Sequence, residues 1–322
     1  MTAPGKSSVL LWLLAGLVFS ADSVIPQNPP SVKLESGLVT LDVTVMDGEG
    51  NYVTDLRPEE FTLLHDDAPE RIVFFEADQN RSLTRPLAVV FALDVSGSLG
   101  SQIRDQQYAA RKFVTLVQQE SVFAVIGFND QVHVYRKFTS DVEKLEQAFA
   151  KARKIGGRTR LYDAIDRAVT MLVRDAPAWR NGRRLRRVVV VITDGFDYTS
   201  LIDHKELIRR ANDAGVTVYS ITLPSYVLSP QGKQRVPTLL DATGLVQRTG
   251  GIDFPAEERD FIRIYRALAE EIRASYLLAY YPPKQHLRDG LSHQIKITTT
   301  RPGMTVRQSR YGYRASVGQG RP

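Results

Sequence analysis

The chain has 322 residues, a hydrophobic fraction of 43%, a charged fraction of 24% and a formal charge of +6 at neutral pH. That length allows more than one domain and a full buried core, and the balance is ordinary for a globular protein. The absence of cysteine excludes disulfides, thiolate metal ligands, a cysteine nucleophile and a lipidated cysteine.

Lys6 precedes an apolar run from Val9 to Phe19, followed by the small residues Ser20 and Ala21. The run is short for a membrane span and suits the h-region of a signal peptide over 1–21, with a retained N-terminal anchor as the alternative. Residues 22–31 carry three prolines and read as a linker. From Val32 the pattern alternates, with Val39, Leu41, Val43 and Val45 on one face and Thr40, Asp42 and Thr44 on the other, as in a half-buried strand. Turns at Asp47–Asn51 and Asp66–Asp67, with a strand from Phe61 to Leu64, complete an N-terminal β module over 32–80.

Residues 86–275 alternate strands with helices. Leu87 to Leu93 is an apolar run behind Pro86 and reads as a strand buried on both faces. A helix from Ser101 to Gln119, a strand from Val122 to Phe128 and an antiparallel return near Phe138 follow. Asp141 caps a helix, and Gly156-Gly157-Arg158-Thr159 turns into another from Leu161. The basic run Arg180–Arg187 reads as a solvated loop, because no aromatic residues interleave to stack bases, so no nucleic-acid partner is expected. A strand ending at Thr193 runs into Asp194-Gly195, and a strand from Thr217 to Leu223 meets a long loop at 224–236, functional or mobile. Strands at Tyr276–Tyr281, Gln294–Thr299 and Thr305–Arg310 form a C-terminal β segment over 276–315.

This order predicts an α/β fold with a doubly wound, mostly parallel sheet. The N- and C-terminal flanks are expected to pack together as a smaller β-sandwich-like domain, with two separate appendages as the alternative.

Open α/β sheets place ligands at the carboxyl ends of their strands. Three loops there carry Asp94, Ser96 and Ser98, then Thr159, then Asp194. Two carboxylates and three hydroxyls make an oxygen-only set, suited to Mg²⁺ foremost, with Ca²⁺ or Mn²⁺ also compatible, and poor for zinc or copper. An open position on the ion would take an acidic residue of a protein partner. Asp130, Asp163 and Asp197 lie near these loops and read as turn or capping residues. The five histidines are spread along the sequence and read mostly as surface residues.

DVSGS resembles the Asp-x-Ser-x-Ser of von Willebrand factor type A (VWA) domains, GGRTRLYDA their threonine-bearing loop and VVVVITDGFD their aspartate strand. The resemblance implies a Rossmann-like VWA fold with a metal-ion-dependent adhesion site on Asp94, Ser96, Ser98, Thr159 and Asp194. The flanks VTLDVTVMDGEGNYVTDLRPEEFTLLHDD and YLLAYYPP, with a terminal RYGYR, are similar to the secreted VWFA-related acidobacterial family. That resemblance implies an exported protein with no enzymatic activity and, once the signal is cleaved, no integral membrane span. Two other readings stay open. One is a structural envelope module whose metal only stabilises it; the other is a Mg²⁺-dependent hydrolase, disfavoured because Ser96 replaces the second acid a haloacid dehalogenase-type phosphatase needs.

Overall fold

The computed structural model describes residues 37–77, 85–96, 103–117 (103–109 as backbone), 120–152, 156–223, 225–230, 232–256 and 261–317. The expected signal peptide 1–21, the linker 22–31 and Ser98 lie outside them.

The first strands are β1 (Val39–Met46), β2 (Phe61–His65), β3 (Ala68–Glu70) and β4 (Phe74–Ala77). Asp66 and Asp67 join β2 to β3 with φ of 48° and 62°, the left-handed pair of a two-residue type I′ hairpin. The α/β region opens with β5 (Leu87–Asp94), buried at every position. It continues through α1 (Ile103–Val117), β6 (Val122–Phe128), β7 (Val132–Thr139), α2 (Val142–Lys151) and α3 (Leu161–Arg174). A short hairpin of β8 (Trp179–Arg180) and β9 (Arg183–Arg184) leads into β10 (Arg186–Thr193). Asp203 caps α4 (His204–Ala214) through Lys205 N, and left-handed Gly215 ends it before β11 (Val216–Thr222). Then come β12 (Tyr226–Ser229), β13 (Gly232–Arg235), α5 (Leu239–Thr243), β14 (Asp253–Pro255) and α6 (Phe261–Arg273). The last strands are β15 (Ser275–Tyr280), β16 (Ser292–Thr299), β17 (Thr305–Gln308) and β18 (Gly312–Arg314).

The central sheet has the order β14-β11-β10-β5-β6-β7, parallel throughout except for β7 against β6. Successive side chains of a strand leave opposite faces, so β5 feeds two cores. Val89 and Phe91 face the layer holding Phe113, Phe149 and Tyr265, where Phe91 meets Phe149 edge-on at 5.2 Å. Ala88, Val90 and Ala92 face Leu161, Ile165 and Leu207 of the other helical layer. A strand covered on both faces has no polar side, which is why its sequence does not alternate.

Apart from the β8-β9 and β12-β13 hairpins, the remaining strands form two antiparallel sheets, ordered β17-β1-β15-β4 and β18-β16-β2-β3. Leu41 and Val43 of β1, Leu63 of β2, Leu278 of β15 and Ile297 of β16 share one core between them. Tyr276 stands edge-on to Phe61 at 5.1 Å across that core.

Four expectations change in the fold. Asp42 and Thr44 of β1 are buried rather than solvent-facing. Ser309 exchanges hydrogen bonds with the Asp42 backbone, and the guanidiniums of Arg85 and Arg186 face its carboxylate. The basic run is therefore not one solvated loop, because Arg186 begins β10, is buried, and also bonds Tyr219 Oη at 2.8 Å. Within the long 224–236 segment, β12 and β13 pair as an antiparallel hairpin with Leu228 91% exposed. His65, His286 and His293 are not dispersed surface residues, since their rings stack at centroid distances of 5.0, 5.1 and 4.4 Å.

Candidate metal centre

Asp94 is the last residue of β5 and Thr193 the last of β10, strands paired in parallel through Leu93 and Ile192. Both chains therefore end together at the carboxyl edge of the sheet, where parallel strands hand over to loops. Asp94 is only 1% exposed. Its Oδ1 accepts the Ser96 backbone N–H at 2.9 Å, and its Oδ2 accepts the Thr193 hydroxyl at 2.9 Å. Asp194 makes a similar tight turn on the neighbouring loop, with Oδ1 accepting the Phe196 N–H at 3.2 Å. Gly195 turns this loop at φ 81°, where any Cβ would stand 2.5 Å from the Thr238 side chain.

Hydrogen bonds stitch the three loops together. The Gly156 N–H reaches Val95 O at 3.2 Å, which fastens the Gly156–Thr159 turn to the end of β5. The Tyr198 N–H donates to Thr159 O at 3.0 Å, which fastens the same turn to the loop after β10. Arg158 N donates to Asp130 Oδ1 at 2.9 Å and so brings in the loop after β6.

Helix α3 starts beside this junction, and its first-turn N–H groups need acceptors. Asp197 Oδ1 accepts from Leu161 N at 2.6 Å and Ser200 Oγ accepts from Asp163 N at 3.1 Å. Asp163 in turn accepts the backbone N–H groups of Leu201 and Ile202 at 2.9 and 3.1 Å. Asp197 and Asp163 thus hold loop to helix, and Asp130 holds loop to loop. With the capping done by others, buried Thr159 keeps a hydroxyl that has no hydrogen-bond partner among the described residues.

Electrostatics at the junction are unbalanced. Burial pushes the Asp94 carboxyl up to about 6; the Ser96 and Thr193 hydrogen bonds oppose the shift, while the negative charge of Asp194 adds to it. A cation would reverse that balance by favouring both ionised carboxylates. The donors at hand are carboxylate and hydroxyl oxygens with no nitrogen or sulfur, which fits a hard divalent ion. The structure brings Asp94, Ser96, Thr159 and Asp194 onto adjoining loops at one sheet edge; Ser98 lies outside the described residues.

Comparison with known proteins agrees with this architecture. Residues 88–240 match the family model of the von Willebrand factor type A domain. Integrin alpha-M of Mus musculus is 26% identical over 161 residues, covering 47% of this chain and 13% of the relative. Inter-alpha-trypsin inhibitor heavy chain H3 of Homo sapiens is 27% identical over 115 residues, covering 34% of this chain and 13% of the relative. The matched segment thus spans only a small part of either relative. Among solved structures, an aerotolerance-related membrane protein from Bacteroides fragilis superposes with TM-score 0.45 at 17% identity, covering 58% of this chain and 98% of that one. Sheet order, helical layers and family match converge on one stretch, and residues 88–240 of this chain carry a von Willebrand factor type A domain.

Proposed function

We propose that this domain holds a divalent cation, Mg²⁺ foremost with Ca²⁺ or Mn²⁺ compatible, on Asp94, Ser96, Ser98, Thr159 and Asp194. Through that ion it binds an acidic side chain of a protein partner. The observation that carries the reading is the pairing of buried Asp94 with Asp194 on loops tied by hydrogen bonds to the turn that bears buried Thr159. Two carboxylates neutralise a divalent charge, and weakly donating hydroxyls leave the ion electrophilic toward a further anion. Recognition rather than turnover is the proposed role.

The surroundings support a protein ligand. Tyr198 and Leu201, on the loop after Asp194, are 66% and 84% exposed. Val227 and Leu228 project from the hairpin that follows β11, and Thr238 beyond it touches Gly195. Exposed apolar side chains around a charged centre resemble the anchors of an interface more than the wall of a small-molecule cleft. Among the described residues no helix is long and apolar enough to cross a membrane. The Val9–Phe19 run supports a setting outside the cytoplasm.

The test is thermal melting of the full chain with EDTA and with excess Mg²⁺, paired with partner capture from envelope extract under both conditions. Saturation to one hundred times the dissociation constant is expected to stabilise the fold by about 2.7 kcal/mol. Asp94→Ala is expected to abolish both that gain and Mg²⁺-dependent capture. A melt indifferent to Mg²⁺, Ca²⁺ and Mn²⁺ would overturn the reading.

A further inference from the structure

We propose a second metal site, of transition-metal character, on His65, Asp66, His286 and His293. It lies in the sheet that holds β2 and β16, apart from the oxygen-only centre at the end of β5. The four residues come from three places: the end of β2 and its turn, the short turn at Lys284–His286, and β16.

One atom from each residue converges on a common point, all four within 4.8 Å of one another. His65 Nε2 lies 2.9 Å from His286 Nδ1 and 3.5 Å from Asp66 Oδ2. Asp66 Oδ2 lies 2.7 Å from His293 Nδ1 and 3.9 Å from His286 Nδ1. A tetrahedral ion with bonds of about 2.0–2.1 Å needs donors about 3.3 Å apart, and these separations bracket that edge. Hydrogen bonding explains the two shortest contacts. It does not explain why three imidazoles stack together and turn one nitrogen each toward the same carboxylate oxygen.

The far side of the rings points the same way. His293 Nε2 lies 3.0 Å from the Asp289 carboxylate, and His65 Nδ1 lies 2.9 Å from the Tyr280 hydroxyl. A ligating histidine ordinarily hands its other N–H to such a partner, which fixes the tautomer and orients the ring. Three nitrogens and one oxygen suit Zn²⁺ and its neighbours, and Mg²⁺ poorly. Four protein ligands close the coordination sphere, so the ion's role is structural rather than catalytic. In a chain without cysteine it would cross-link segments 221 residues apart, as a disulfide would elsewhere.

The test uses the full chain in excess Mg²⁺, which occupies the oxygen site and leaves the imidazoles. One equivalent of Co²⁺ is expected to give the intense visible bands of a tetrahedral nitrogen-rich site, and Zn²⁺ to displace it with a rise in melting temperature. His286→Ala, at a half-buried position in a short turn, is expected to remove the bands while its metal-free melt stays near that of the parent chain. The conservative Asp289→Asn is expected to keep the bands and weaken Zn²⁺ binding about 10- to 100-fold. Absence of tetrahedral Co²⁺ bands in the parent chain, or their survival in His286→Ala, would overturn the proposal. Because the readout is cobalt–imidazole absorption, it stands or falls separately from Mg²⁺ binding at Asp94.

Discussion

The Thr193 hydroxyl donates to Asp94 Oδ2 at 2.9 Å and accepts the Gly195 N–H at 3.1 Å, so one buried oxygen ties two parallel strand ends to the loop that carries Asp194. Thr193→Val keeps the shape and removes both bonds. A hydrogen bond to a charged group is worth about 1.5–3 kcal/mol, so Mg²⁺ affinity is expected to fall roughly tenfold or more. Calorimetric titration of parent and variant measures it, and unchanged affinity would show that Thr193 does not orient the carboxylate.

Asp94 also dictates how the metal-free protein responds to pH. Its carboxyl is raised from 3.8 to about 6, so the folded chain holds that proton to higher pH than the unfolded chain does. Its contribution to stability is therefore largest in acid and is lost as pH rises from about 4 to about 6, with a total of about 3 kcal/mol. In EDTA at neutral pH, Asp94→Asn is expected to melt above the parent chain and to lose that part of the pH slope. With Mg²⁺ present the order reverses, because only the parent carboxylate can hold the ion. Denaturant midpoints from pH 4 to 7, with and without Mg²⁺, measure both effects.

Gly157 sits at φ 97°, and any Cβ there would lie 2.4 Å from Asp130 Oδ2. Gly157→Ala thus adds a clash to a backbone conformation that already disfavours alanine, and a loss of about 1–3 kcal/mol is expected. Pairing it with Asp130→Ala relieves the clash but not the backbone strain. The double variant is accordingly expected to recover only part of the loss, read from denaturant midpoints. Because the turn carries Thr159, Mg²⁺ affinity is expected to drop in both variants.

At the other end of β10, Asp42 is buried against Arg85 and Arg186. Burial alone would raise its carboxyl, but the two guanidiniums overcome that and hold it below the usual carboxylate range. Asp42→Ala leaves those charges uncompensated, and breaking such a buried pair is expected to cost about 3–5 kcal/mol. Urea denaturation of parent and variant at neutral pH checks it, and a loss under 1 kcal/mol would show that water reaches the guanidiniums.

What the residues alone determine here is local. The Leu87–Leu93 run, bounded by Pro86, leaves little choice but a buried strand, and β5 spans Leu87–Asp94. Asp141, Asp203 and Gly215 stop and start helices where they stand, because a cap needs only the backbone beside it. The strand and helix alternation of the α/β region, and the loops that bear Asp94, Thr159 and Asp194, follow from such signals.

Tertiary structure decides which distant groups meet. Nothing near Asp42 in sequence marks it as buried; Arg186, the first residue of β10, reaches it from 144 positions away. The three histidines look unrelated along the chain until the antiparallel register of β2 with β16, His65 opposite Ile295, brings His293 beside His65. Likewise the capping of α3 by Asp197 depends on a loop 36 residues away. Periodicity and capping by adjacent residues act over one or two turns of chain, so sequence can state them. Strand register and charge pairing across hundreds of residues are settled only when the sheets close over a common core.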